Sequence, residues 1–269
     1  MANSLELAGR RFLTAIVSRF IRPRAGEAWS WAERPPERIL LVRHDDRIGN
    51  LILMKPLLQG VRQLWPEAET AVLIGPRYAQ VYQEEPEVDR LWILEKRRIL
   101  GNPFHFFRFI SQLRKSGYDM AIDCSHMHSF SLTGASLTYF SGAPVRVAYD
   151  RENAGTFCNL LVEPLRAEHH ESDILLNLLR PFVEELPDTE MRIHLSPEET
   201  EDALGRRMAC TGEKGVLLGI HIGGRGSKKW AVERYESLIG KILELYDISI
   251  AILCGPGEEE EAIYLREHL

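Results

Sequence analysis

The sequence contains no C-x-x-C pair. Its four cysteines, Cys124, Cys158, Cys210 and Cys254, stand far apart. That spacing signals neither a zinc site nor a disulfide framework, and reduced thiols in a cytosolic protein are the expectation. There is also no uninterrupted apolar run of the roughly 18–20 residues that a spanning helix needs, and no secretory cleavage pattern follows the first apolar segment. A basic excess is missing too: the net charge of -6 argues against duplex nucleic acid as the main partner. Neither G-x-x-x-x-G-K-[ST] nor G-x-G-x-x-G occurs, which disfavours a P-loop and a nicotinamide-binding Rossmann domain. No Ser-His-Asp set can be ordered from the residues present.

What the chain does have is a core. With 269 residues, 45% of them hydrophobic, it can form one large or two ordinary domains. The opening stretch "LAGRRFLTAIVSRFIRPR" sets Leu13, Ile16, Val17 and Phe20 at helical spacing among Arg10, Arg11, Arg19, Arg22 and Arg24. Such a basic amphipathic helix can lie in an anionic membrane interface or pack on its own domain. Beyond Pro35 and Pro36, strand-like runs ("RILLVRH", "ETAVLIG", "RLWILE", "DMAIDCS", "VRVAYD") alternate with helix-like ones ("NLILMKPLLQGVRQLWP", "FHFFRFISQLRKSGY", "FSLTGASLTYF", "HHESDILLNLLRPFVEEL"). That alternation predicts an α/β protein with a parallel sheet covered by helices. A short strand and a polar helix are expected in "EMRIHLSPEETEDALGRRMAC", before a second alternating series begins at "GVLLGIHIGG". The expected organisation is therefore an N-terminal helix and linker over 1–37, a Rossmann-like domain over 38–190, a connection over 191–214 and the start of a second Rossmann-like domain over 215–269. The second series holds two strands and two helices, fewer than a doubly wound domain uses, so that domain reads as incomplete.

In open parallel sheets ligands bind beyond the carboxyl ends of the strands. Three such ends carry polar residues. "RHDDRIGN" offers Asp45, Asp46, Arg47 and the amides around Gly49 and Asn50. "HIGGRGSKKW" offers Gly223, Gly224 and Gly226 for close backbone approach, Ser227 as a donor, and Lys228 and Lys229 as cations, the composition of a diphosphate cradle. "CGPGEEEE" enriches a helix first turn in glutamate, including Glu258, which by itself could only offset the helix dipole. His126 and His128 could ligate a metal, yet no matching carboxylate or cysteine pair flanks them, and no metal is expected. His169 and His170 precede a helix and read as caps. The aromatic run "FHFFRF" could stack bases, although its helical spacing suits a core face better.

Taken in order, "ILLVRHDDRIGNLILMKPLLQGVRQLWPEAETAVLIGPRYAQVYQEEPEVDRLWIL", "GYDMAIDCSHMHSFSLTGASLTYFSGAPVRVAYDRENAG" and "GIHIGGRGSKKWAVERYESLIGKI" resemble the ADP-heptose:lipopolysaccharide heptosyltransferases, glycosyltransferase family nine. The resemblance runs from about residue 38 to the end and implies a GT-B architecture of two Rossmann-like domains. It implies inverting, metal-independent transfer of heptose from an ADP-heptose donor to the lipopolysaccharide inner core. No cofactor is implied, and the site would be the cytoplasmic side or inner face of the membrane. On that resemblance Gly223, Gly224, Ser227, Lys228 and Glu258 would meet the donor, Lys228 steadying the departing diphosphate.

The chain departs from the pattern in two places. The family's Gly-Asp, whose aspartate is the proposed base, is Gly49-Asn50 here, and an amide cannot take that proton at neutral pH; Asp46 or Asp45 would have to substitute. The family's later Asp-Thr-Gly-Pro-x-His block would fall beyond Leu269, so half of the donor pocket is expected to be missing. The alternative expectation is a relative that binds sugar or lipopolysaccharide without transfer.

Overall fold

The computed structural model describes residues 34–45, 47–95, 102–165, 168–211, 215–224 and 226–269. The expected N-terminal amphipathic helix and Asp46 lie outside the described residues. The chain divides into two compact units between His194 and Leu195.

In the first unit β1 (Arg38–Arg43) leads through a short loop into α1 (Ile48–Ile52) and α2 (Lys55–Leu64). The sequence pattern predicts one helix here. Two form because Pro56 has no N–H to donate and is tolerated only in a first helical turn, which starts α2 anew. β2 (Glu69–Ile74), a 3₁₀ segment (Pro76–Tyr82) and β3 (Arg90–Ile93) follow, then α3 (Pro103–Lys115), capped by the Asn102 side chain. Next come β4 (Met120–Asp123), α4 (Leu132–Phe140), β5 (Val145–Tyr149), the four-residue α5 (Ala154–Phe157) and β6 (Leu160–Val162). α4 is capped by Ser131 and ends before Gly142, whose φ of +81° only glycine adopts freely. The unit continues with α6 (Glu171–Leu176) and a 3₁₀ turn (Asn177–Phe182) that holds Pro181. The expected long helix from His170 thus tightens halfway, and His170 caps its start by accepting from the Ser172 N–H.

All six strands are parallel, in the order β3-β2-β1-β4-β5-β6. Strand order reverses between β1 and β4, which makes their carboxyl ends the topological switch point. Alternate β1 residues feed two cores. Ile39 and Leu41 pack with Leu57, Leu58, Val61 and Leu175 on one face, and Leu40 and Val42 pack with Ile110, Leu113 and Leu137 on the other. The "FHFFRF" run is split: Phe106 and Phe109 pack on the second core, whereas Phe104 and Phe107 are exposed.

The second unit begins with α7 (Pro197–Thr211), followed by the parallel pair β7 (Leu217–His221) and β8 (Ser249–Leu253), with α8 (Val232–Leu245) between them and α9 (Glu259–His268) after. Ile222, Ile239 and Leu265 are its buried apolar centre. No strand forms in the "EMRIHL" stretch, which is irregular. The alternating apolar residues Met191, Ile193 and Leu195 that suggest one are exposed, and among the described residues they belong to neither sheet.

One buried charge pair ties the first unit together. Lys55 and Glu85 are both fully covered and in contact, the ammonium also donates to Val81 O at 3.0 Å, and His194 Nδ1 stands 3.0 Å from Glu85 Oε1. Burial pulls the Lys55 ammonium down to about 8, against a smaller upward pull from Glu87. Removing one member of such a pair leaves an uncompensated buried charge. Lys55→Met is therefore expected to cost about 3–5 kcal/mol in urea unfolding, while Lys55→Met with Glu85→Leu recovers most of that loss.

Candidate active site

The loop after β1 is organised from below by Arg43. Its side chain is 1% exposed, it donates to Cys124 O beyond β4, and its Nη2 lies 3.8 Å from Asp45 Oδ2. Asp45 in turn closes the loop: Oδ1 accepts the Arg47 N–H at 3.1 Å and Oδ2 accepts from the Asn50 side-chain amide. Its carboxylate is thus occupied from three directions. Asn50 lies in α1, 8% exposed, and its Oδ1 faces His126 Nε2 at 3.1 Å. On the other side of that ring, Nδ1 stands 2.7 Å from Glu171 Oε1, an ion-pair distance without hydrogen-bond alignment. A continuous line of four side chains, Asp45, Asn50, His126 and Glu171, therefore crosses the switch point.

Burial and the Arg43 guanidinium push the His126 ring below the ordinary imidazole range, and Glu171 and Asp45 pull it back up. Gly49 beside Asn50 is not demanded by packing, since a side chain there would meet nothing within 4 Å.

Behind the line lies Asp123, the last residue of β4. It is buried, accepts from the Ser125 N–H at 3.1 Å and from the Ser125 hydroxyl, and lies 3.5 Å from Arg151 Nη2. Burial raises its carboxyl and Arg151 opposes the rise. Gly134 makes the room: a Cβ there would sit 2.4 Å from Ser125 Oγ and 2.7 Å from Asp123 Oδ1. The thiols of Cys124 and Cys158 are buried and pushed far up by that burial, which makes them inert packing groups.

In the second unit the ends of β7 and β8 lie side by side, and Glu258 bridges the turns that follow them. Its Oε2 accepts the Gly255 N–H at 2.8 Å and its Oε1 the Gly224 N–H at 3.3 Å, which holds its carboxyl below the usual range. A Cβ at Gly223 would lie 2.7 Å from that carboxylate and displace it, and one at Gly224 would lie 2.9 Å from the Lys229 Cα, so the backbone at Gly224 requires glycine. The two adjacent lysines differ. Lys229 reaches Glu261 at 2.7 Å and Glu258 at 3.9 Å, whereas Lys228 and Ser227 are exposed.

Among the described residues the grouping suited to a metal is Glu85, Glu87 and His194. Lys55 already neutralises Glu85 there.

The family model for glycosyltransferase family 9 (heptosyltransferase) matches residues 106–268. The chain belongs to glycosyltransferase family 9. It is similar to a putative glycosyltransferase of Haemophilus influenzae, 23% identical over 243 residues, spanning 85% of this chain and 67% of that protein. The fold is similar to the crystal structure of a family 9 glycosyl transferase from Veillonella parvula, with TM-score 0.71 and 18% identity, over 86% of this chain and 66% of that one. It is also similar to E. coli heptosyltransferase WaaC with ADP, with TM-score 0.63 and 21% identity, over 86% and 71% of the two chains. This family 9 chain spans about two thirds of the length of the relatives it matches.

Set against the sequence expectations for such a family 9 chain, the structure brings Asp45 and Asn50 together in one unit and Gly223, Gly224 and Glu258 together in the other. Asp46 lies outside the described residues. His126, Glu171, Arg43 and Asp123 were not expected at the site as a group. The usable signal was position: His126 follows the strand that neighbours β1 in a doubly wound sheet.

Gly134→Ala should press on Asp123 and Ser125 and cost about 1–3 kcal/mol, measured by urea unfolding. A variant as stable as the parent would show that the Asp123 turn has slack.

Proposed function

We propose that the protein is a family 9 sugar transferase that moves heptose, with inversion, from an ADP-heptose donor to a hydroxyl of the lipopolysaccharide inner core. The observation that carries the reading is the pair of strand ends in the second unit. Side chains at Gly223 and Gly224 would crowd Glu258 and the Lys229 backbone, and Lys228 stands exposed beside that glycine turn. A glycine turn that lets a ligand approach closely and an exposed cation beside it suit a diphosphate leaving group. The similar solved structures include E. coli WaaC with ADP and with ADP-2-deoxy-2-fluoro heptose, which supports a nucleotide sugar as the donor here.

In this reading the exposed Lys228 and Ser227 take charge from the diphosphate without a metal ion. Glu258, already held as an anion by two backbone amides, is a contact for the nucleoside portion rather than for phosphate, because like charges would repel. Lys229 holds Glu258 and Glu261 in place. The first unit handles the acceptor through Asp45, Asn50 and Asp46. The basic amphipathic stretch around Leu13, Ile16, Val17 and Phe20 would bring the protein to the inner face of the cytoplasmic membrane, where a lipid-linked acceptor resides. No described helix is long and apolar enough to cross a membrane.

A second reading, a relative that binds sugar or lipopolysaccharide without transfer, is favoured by one observation: position 50 carries an amide, and both ends of that amide are engaged, by Asp45 and by His126.

Calorimetric titration with ADP tests the donor assignment. Lys228→Ala is expected to weaken ADP binding by about tenfold or more, the loss of a charge-assisted contact of about 1.4 kcal/mol. Binding that is unchanged would remove Lys228 from the site. Binding without turnover of ADP-heptose on a core acceptor would select the second reading.

A further inference from the structure

An inverting transfer needs a group to take the acceptor proton, and the amide at position 50 cannot do so. Asp45 is a poor candidate because the Arg47 N–H and the Asn50 amide fill its carboxylate and Arg43 stands 3.8 Å away. Among the described residues, the titratable side chain that meets Asn50 from the neighbouring strand end is His126, whose ring is partly exposed. We propose that His126, backed by Glu171, is the general base of this chain, and that Asn50 serves to hold the protonated ring. The proposal rests on the transferase reading above.

The geometry assigns the roles atom by atom. Asp45 Oδ2 accepts from Asn50 Nδ2, which orients the amide so that its oxygen faces His126 Nε2. An amide oxygen only accepts, so a ring nitrogen bonded to it carries a proton. Glu171 Oε1 at 2.7 Å from Nδ1 favours a proton there as well. The ring thus lies between two carboxylates, with Asn50 relaying one of them, an arrangement able to hold the imidazolium once a proton arrives.

In the neutral ring the Glu171 carboxylate 2.7 Å from Nδ1 favours the tautomer protonated there, and Nε2 offers a lone pair. Its direct contact with Asn50 Oδ1 then lapses, and an acceptor hydroxyl can donate into the position between them. The ring is 31% exposed and Glu171 17%, so a hydroxyl can reach the base while its partner stays more covered.

The chemical step balances. The acceptor oxygen forms its bond to the anomeric carbon, the bond from that carbon to the diphosphate oxygen breaks with its electron pair leaving on the diphosphate, and the hydroxyl proton passes to His126 Nε2. The imidazolium regains Asn50 Oδ1 and later releases its proton to water. The charged groups facing the ring are Arg43, which disfavours the imidazolium, and Glu171 and Asp45, which favour it. Burial and Arg43 prevail, so the ring stays neutral, and able to act as a base, to lower pH than a free imidazole.

The test uses the full chain, ADP-heptose and a deacylated inner-core oligosaccharide. In the parent, kcat should fall on an acid limb with its midpoint below 6.5, the ordinary imidazole value. His126→Ala is expected to lower kcat by about 10²–10⁴-fold with little change in donor KM, and to abolish that limb. Glu171→Gln should lower kcat and move the limb further down, since a carboxylate that favours the imidazolium is gone. Asn50→Asp in the His126→Ala background should restore at least about tenfold by supplying a carboxylate within the same loop. ADP affinity and thermal midpoint, read in parallel, should stay near parental values. An active parent whose His126→Ala variant keeps kcat within about threefold and the same acid limb would overturn the His126 assignment alone. A parent that binds ADP and transfers nothing would overturn the transferase reading and this assignment with it.

Discussion

The register of β1 against β4, which sets Val42 opposite Asp123, is the constraint on which the candidate site depends. Parallel pairing leaves both carboxyl ends at one level, and the loops that follow must meet. That is how Arg43 reaches the carbonyl of Cys124 and Asn50 reaches His126, contacts spanning some eighty positions of sequence. A slip of one residue would turn Ile39 and Leu41 toward the wrong core and separate these side chains, so the two apolar layers that fix the register also fix the chemistry.

The polar groups of the site are arranged so that few of them are free to move. Asp45 is closed by Arg47 and Asn50, Asp123 by Ser125 and Arg151, and Glu258 by two backbone amides. Each of these three carboxylates is hydrogen-bonded, which offsets the cost of desolvating its charge. The half-buried ring of His126 in the first unit and the exposed Lys228 in the second stand out against that background as groups with room to meet a ligand. The same logic separates adjacent lysines: one is engaged by Glu258 and Glu261, and its neighbour faces solvent.

Much of the fold was legible in the sequence. Strands such as "RILLVR" and "ETAVLI" are apolar at every inner position because both faces of a parallel sheet are covered, and that continuity is readable without coordinates. β6 was not, because its three residues lie beside Pro164 and carry too little pattern. The unbroken helix expected from Asn50 to Trp65 and the long helix after His170 failed for one physical reason. Proline marks where a helix must restart or tighten, and apolar periodicity does not register that break.

At the site the division is sharper. Residue type alone established that position 50 carries an amide, that glycines and lysines follow β7, and that paired aspartates follow β1, because those are properties of single positions. Which of these groups retain a free valence was decided only in three dimensions. The hydrogen-bond capacity of Asp45 is spent on neighbours brought to it by the loop, and the histidine that meets Asn50 comes from another strand end. Sequence determines what each side chain can donate or accept. Parallel strand register determines which partner takes it.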